Sequence, residues 1–380
     1  MKEESRYQYI DALRGWAVLM IILMHASVSG TYQFPQVARG ILGHGYVGIH
    51  MLFIATGLSL ALRWPAASLG SAAGLRRYAI RRACRIVPLF YLAILLYLIL
   101  LGRGPRIFAP GGIDWLDIAL TAVFLHNWRW SSLNSVVPGD WSIGAVVTFY
   151  VLFPLLVRWA GSGRVFWSLV IGGVTATQLL NLYTQAHHWN EGFSWSFPGA
   201  GVIFLFGMAV ARYLSGGARE GRRTGNQALA GNTASICLLG FLIAGLPIWH
   251  LPEWLLTYRL QVALVTGLLC LLLHEFSPRL VVNPFIALVG RMTFSILVFN
   301  YIVQSNSGTF TVWLADRIGW QQPNASIPLM YLAIVVCSSL VLGFLGLTLV
   351  EQPAIRLGRR LTQGPSSAGM DQPQPGLLPS

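Results

Sequence analysis

The chain has 380 residues, 55% of them hydrophobic and only 10% charged, and a mean hydropathy of +0.60. That balance excludes an ordinary soluble domain and reads as an all-α, polytopic integral membrane protein. A formal net charge of +13 would suit a nucleic-acid partner, but the arginines gather at the ends of apolar stretches, as cytoplasmic membrane loops require, so the lipid bilayer is the expected partner and nucleic acid is not.

The first apolar stretch, Tyr9 to Ser29, carries Asp11, Arg14 and His25 where a membrane span ordinarily carries no ionisable group. It lacks a small-residue cleavage site with a polar sequel, so it reads as a retained span rather than a signal peptide. At about 100° per residue, Arg14 to His25 falls roughly 20° past three turns and Asp11 to His25 about 40° short of four, so all three share one side of the helix. His25 stands about 16 Å above Arg14, near the middle of a hydrocarbon core about 30 Å thick. An ionisable group at that depth is costly unless it faces protein or a water-filled cavity, which makes it a functional candidate.

Further spans are expected at Gly45 to Leu62, Ile86 to Leu101, Ser142 to Val157, Val165 to Leu182, Gly199 to Leu214, Ala234 to Trp249, Leu255 to Leu273, Phe285 to Val303 and Ile327 to Val350. That makes ten transmembrane helices with both termini cytoplasmic. Only this parity puts the clusters at Lys2 and Arg6, Arg63 to Arg85, Arg158 and Arg164, Arg212 to Arg223, Arg279 and Arg291, and Arg356 to Arg360 on one side. The apolar piece Ile113 to Leu125 is too short for a comfortable crossing and is expected to be re-entrant or interfacial.

The intervening outer loops hold Trp128, Trp130, Trp189, Trp195, Trp313 and Trp320, which suit a bilayer interface and equally suit stacking on sugar rings. Residues 1–362 form one transmembrane domain. Residues 363–380, rich in Gly, Pro, Gln and Ser, are expected to be a disordered cytoplasmic tail. The four cysteines, Cys84, Cys237, Cys270 and Cys337, fall in or beside apolar stretches and suggest neither disulfides nor a metal site.

Helical rise places three more polar side chains near the level of His25. His50 lies about 8 to 10 Å below the outer face, Tyr150 about 13 Å below Trp141, and Asn300 about 15 Å beyond Gly290. Their ordinary reading is interhelical hydrogen-bond glue; His25, with charged companions on its side, stands out from it. Arg82 and Arg85 lie one turn apart and present neighbouring guanidiniums, which suits phosphate as well as a plain cytoplasmic flank.

In order and spacing, the pieces IDALRGWAVLMIILMH, VGIHMLFIATGLSLALR, RRACRIVPLFYLA, DWSIGAVVTFYVLFPLL, GRMTFSILVFN and the closing EQP resemble the acyltransferase-3 family of membrane O-acyltransferases, from Tyr9 to about Arg360. The resemblance implies a multi-pass protein of the inner (cytoplasmic) membrane. Such a protein takes an acyl group, acetyl foremost, from cytoplasmic acyl-CoA and places it on a hydroxyl of a carbohydrate or glycoconjugate, without a metal. By that match His25 is the catalytic histidine, Arg14 its motif partner with Asp11 beside it, and Arg82 and Arg85 the arginines that hold acyl-CoA. His50, Tyr150, Asn300 and Trp141 are the candidates for holding substrate or orienting the histidine.

Three positions depart from the family pattern: His50 and Val146 stand where an acidic residue is frequent, and Asn300 where a histidine is frequent. In chemical terms, a neutral imidazole can take the proton of a sugar hydroxyl as it attacks a thioester, or accept the acyl group and relay it. The competing class is a proton-coupled transporter or flippase of a lipid-linked sugar or metabolite. Its usual marks, inverted repeats and broken helices, are not evident in the sequence.

Overall fold

Fourteen numbered helices and their connections make up the computed structural model, which describes residues 7–28, 31–188, 195–216, 225–246, 248–249, 251–320 and 326–363. Lys2, Arg6, Trp189, Arg219, Arg222, Arg223 and the tail beyond Gln363 lie outside the described residues. The helices are α1 Gln8–Val28, α2 Gln36–Gly43, α3 Val47–Arg63, α4 Ala72–Leu101, α5 Trp115–Ala122, α6 Trp141–Trp159 and α7 Gly163–Ala186. They continue with α8 Phe197–Ser215, α9 Gly225–Gly240, α10 Tyr258–Glu275, α11 Pro284–Arg291, α12 Thr293–Arg317, α13 Ser326–Gly346 and α14 Gln352–Thr362. No strand occurs among the described residues.

Nine helical segments among the described residues are long and apolar enough to cross a membrane, and α11 with α12, bent by 72°, bring the number to the expected ten when the bent pair counts as one span. The described residues are helical and the protein is membrane-embedded. Helix α5 has only eight residues and does not cross; Asp114 caps its first turn by accepting from the Asp117 amide, and Asp117 accepts from the Asp114 amide in return.

Of the boundaries that differ from expectation, three bear on the site. The second span begins earlier, because α2 runs through a 3₁₀ turn at His44–Tyr46 into α3. The third begins at Ala72 rather than Ile86: Ser71 caps it by accepting from the Gly74 amide at 3.1 Å, so Arg82 and Arg85, one helical turn apart as expected, lie well inside the helix rather than at its mouth. The ninth is broken at Met292, then α12 runs on to Arg317, well past the expected end at Val303. That break is of the kind transporters use, and the sequence did not reveal it.

Helix α1 is the axis of the bundle, and its neighbours reach it by close backbone approach. A Cβ at Gly290 of α11 would overlap the Asp11 carbonyl, and a Cβ at Gly15 would overlap the Ile286 carbonyl. Gly48 of α3 likewise lies on the Ala17 carbonyl. Small residues at such seams let membrane helices gain dispersion contacts where no hydrophobic force drives them together. Trp16 adds a hydrogen bond from its indole to the Val281 carbonyl at 3.0 Å.

One core, including Leu13, Ala17, Phe53, Phe149 and Phe204, joins α1, α3, α6, α8 and α10. A second, with Val18, Ile22, Ala26, Ile296 and Tyr331, joins α1 to α12 and α13. Arg14 and His25 sit near the boundary between these two cores, at different heights.

Candidate active site

His25 lies in the last turn of α1, where its half-buried ring meets α12. Asn300, 6% exposed, brings its Nδ2 to 2.5 Å from His25 Nδ1. One turn further along α12, Gln304 Nε2 reaches Asn300 Oδ1 at 3.4 Å and the Ile22 carbonyl at 3.5 Å. The Tyr331 hydroxyl of α13, fully buried against Tyr32, donates to Gln304 Oε1 at 3.1 Å. An imidazole with one nitrogen held by a buried network, on a residue of intermediate exposure, suits proton transfer.

Arg14 belongs to a different place. Its guanidinium donates to Asp11 Oδ1 at 2.9 Å, to Ser59 Oγ at 2.7 Å and to the Ala55 carbonyl at 3.3 Å, which ties α1 to α3. Arg85 of α4 and the Tyr150 ring of α6 lie within its electrostatic reach. Arg63 is within reach of Arg14, Arg82, Arg85 and Asp11. Arg82 stands over the Tyr150 ring at 5.5 Å and the Tyr78 ring at 6.0 Å. Glu351, 1% exposed, accepts from the Ser295 amide at 3.1 Å and from the Ser295 hydroxyl, and faces Arg85 electrostatically.

Four guanidiniums thus gather around two carboxylates at one end of the bundle. The surplus positive charge suits an anion with several oxygens.

The four polar residues expected at one depth part company. Only Asn300 meets His25. Tyr150 is turned toward α4, with its carbonyl accepting from the Tyr78 hydroxyl at 2.9 Å and its ring under Arg82, so it belongs to the arginine cluster. His50 is turned toward α10, against the Tyr46 ring at 6.4 Å and within reach of Arg259. Trp141 meets Phe53 edge-on at 6.0 Å. Rise along a helix fixes depth and leaves facing open, and facing separates these residues. Asp11 and Arg14 are paired with each other, with Arg14 about 16 Å from His25 along α1, and they meet α3 where His25 meets α12.

Several residues of these two places went unrecognised in the sequence. Gln304 carries the signal of helical spacing from Asn300, but a span ending at Val303 put it in a loop. Tyr331, Ser59 and Glu351 are polar groups whose partners lie far away in the chain; Ser59 and Glu351 lie in motif pieces of the sequence, but nothing there tells which partners they meet.

The segment before α6 fixes the entry of that helix. Asn127 Nδ2 donates to the Trp141 carbonyl at 2.9 Å and the Trp195 carbonyl at 3.1 Å, while its Oδ1 accepts from the Phe197 amide at 2.8 Å. His126 and Asp140, both fully buried, face each other with Nε2 3.6 Å from Oδ1, and Nε2 lies 3.1 Å from the Asp140 carbonyl. Burial pushes the Asp140 carboxyl up to about 6, against the opposing pull of His126 and of the Asn134 and Val137 amides.

A reachable histidine at one level and a cationic pocket about 16 Å away along the same helix suit a reaction in which an anionic carrier is gripped at one point and reacts at another. No curated relative and no solved structure matches the chain. A family model described as an acyltransferase domain matches residues 7–347, nearly the whole chain, so the protein belongs to the acyltransferase-3 family and is a membrane acyltransferase.

Proposed function

We propose that the protein moves an acyl group, acetyl foremost, from cytoplasmic acyl-CoA to a hydroxyl of a carbohydrate or glycoconjugate, with His25 as the base. The observation that carries this reading is the separation of the two places along α1: Arg14 with Arg63, Arg82 and Arg85 at one end, and His25 held by Asn300 about 16 Å away. The phosphates of CoA suit the arginines, and its pantetheine arm is a flexible chain of the length needed to bring a thioester up to the histidine.

His25 takes the proton of the acceptor hydroxyl as that oxygen attacks the thioester carbonyl carbon. The carbon–sulfur bond then breaks, and the departing thiolate recovers the proton from the imidazolium. Asp11 holds Arg14 in place, and Tyr150 stacks under Arg82. In this reading the arginine end faces the cytoplasm, both termini lie there, and the protein resides in the inner membrane.

Purified protein in detergent, given radiolabelled acetyl-CoA, should release free CoA at a rate that His25→Gln abolishes. Mass spectrometry of surface glycans and small glycoconjugates from cells with and without the gene then identifies the acceptor by a mass difference of one acyl group. Wild-type protein that binds acetyl-CoA without any turnover or transfer would overturn the proposal.

A further inference from the structure

A base needs a lone pair on the nitrogen that faces its substrate, so the proton of a neutral imidazole must sit on the other nitrogen. Asn300 occupies Nδ1 of His25, which leaves Nε2 for substrate. An amide can meet Nδ1 in two ways. Its nitrogen donates, which forces the ring proton onto Nε2; or, after a half-turn, its oxygen accepts from Nδ1–H, which bares Nε2.

The choice is not made at Asn300 alone. In one arrangement Asn300 Nδ2 donates to His25, Gln304 Nε2 donates to Asn300 Oδ1 and to the Ile22 carbonyl, and the Tyr331 hydroxyl donates to Gln304 Oε1. In the other, both amides turn: Asn300 Oδ1 accepts from His25 Nδ1–H, Asn300 Nδ2 donates to Gln304 Oε1, and Gln304 Nε2 donates to the Tyr331 oxygen. Turning only one amide sets acceptor against acceptor or donor against donor, which is costly where both are shielded from water. The tyrosine hydroxyl serves either arrangement by rotating its hydrogen. The Ile22 carbonyl, reachable only by a donor, favours the first arrangement, in which Nε2 carries the proton.

We propose that Gln304, backed by Tyr331, is a positioning residue that sets through Asn300 which nitrogen of His25 carries the proton, and thereby whether His25 can act as a base. This inference rests on the reading of His25 given above, and its test separates the two. Gln304→Glu places an acceptor beside Asn300, which holds the second arrangement. Gln304→Leu removes the coupling and leaves Asn300 free to turn.

The measurement is ¹⁵N NMR of histidine-labelled protein in detergent, with the His25 signals assigned by their loss in His25→Gln, alongside kcat and KM for acetyl-CoA. Gln304→Glu should move the proton toward Nδ1 and raise kcat above the wild-type level. Gln304→Leu, which also removes the bond to the Ile22 carbonyl that favours the first arrangement, should give averaged nitrogen signals and a kcat raised to between the wild-type and Gln304→Glu values, with KM unchanged. Should the leucine variant not fold, Gln304→Met removes the same amide with a more flexible side chain and should shift the nitrogen signals and raise kcat in the same sense. The proposal is overturned if the folded variants leave both the His25 nitrogen signals and kcat at wild-type values. If His25→Gln still transfers acyl groups, the base reading falls instead, while the nitrogen signals still decide whether Gln304 sets the tautomer.

Discussion

Asn300 and His25, 275 residues apart in the chain, meet through a single side-chain contact in which Asn300 Nδ2 lies 2.5 Å from His25 Nδ1. The contact exists because α11 ends at Met292 and α12 starts in a new direction, bent by 72°, which swings Asn300 against the last turn of α1. A histidine fixed this way has Nδ1 committed to the fold, and in the proposed mechanism Nε2 is the nitrogen that meets the acceptor.

Replacing His25 therefore separates chemistry from stability. His25→Gln should lose about 10²- to 10⁴-fold in acyl transfer, the usual worth of a general base. Its melting temperature in detergent should stay close to wild type, because glutamine can still bond to Asn300 and one such bond in a membrane is worth about 1 kcal/mol or less. A stable His25→Gln protein with near-normal transfer would remove the histidine from the mechanism. Trapping a labelled acyl group on His25 in wild-type protein would replace direct transfer with a relay.

The arginine cluster should govern donor affinity and little else. Replacing both Arg82 and Arg85 by Gln removes two of four positive charges facing Asp11 and Glu351, so KM for acetyl-CoA should rise by at least tenfold while kcat holds. Arg63→Gln should act in the same direction more weakly, as expected for a single exposed charge. Added salt should raise the wild-type KM and affect the double variant less. An unchanged KM would leave these arginines as topology signals.

Apolar length told where the chain crosses: nine helices among the described residues are long and apolar enough to span a membrane, and the bent pair of α11 and α12 falls on the expected ninth stretch. Depth was legible for His50, Tyr150 and Asn300, but partners were not: Tyr150 turns to Arg82 and His50 to Tyr46 because helix rotation is decided by packing against neighbours. The break at Met292 was hidden as well. Neither proline nor a glycine pair marks the position itself, and the cause is long-range: Gly290 and Gly15 pull α11 onto α1, while Ser295 is held by Glu351.

Those glycine contacts give a direct stability test. Gly290→Ala would push a methyl group into the Asp11 carbonyl, where backbone rather than a flexible side chain must yield, so a loss of about 1 to 3 kcal/mol is expected. Gly172→Ala in α7 serves as the control, because nothing lies within 4 Å of its added Cβ. That substitution should leave stability unchanged or raise it by up to about 1 kcal/mol through helix propensity. Thermal melts of the two variants in the same detergent compare them, and equal melting temperatures would show that the α1–α11 seam is looser than its geometry.

The buried Asp140 makes the segment before α6 sensitive to pH. Its carboxyl titrates near 3.8 when unfolded and is pushed up to about 6 by burial when folded. The folded state therefore binds the extra proton between those values, and the stability it confers is fully present below pH 3.8 and lost as pH rises through 6. At about 1.4 kcal/mol for each pKa unit, the effect is at most roughly 3 kcal/mol, smaller if water reaches the pair on opening. Hydrogen exchange of the Asn134 amide, which donates to Asp140 Oδ1 at 3.0 Å, should report it as slower local opening at pH 4 than at pH 7 after correction for intrinsic rates. Asp140→Asn keeps an oxygen for that amide but has no proton to lose, so its local stability should be level across this range. A wild-type segment whose opening is independent of pH, or an asparagine variant that keeps the wild-type dependence, would place the titration elsewhere.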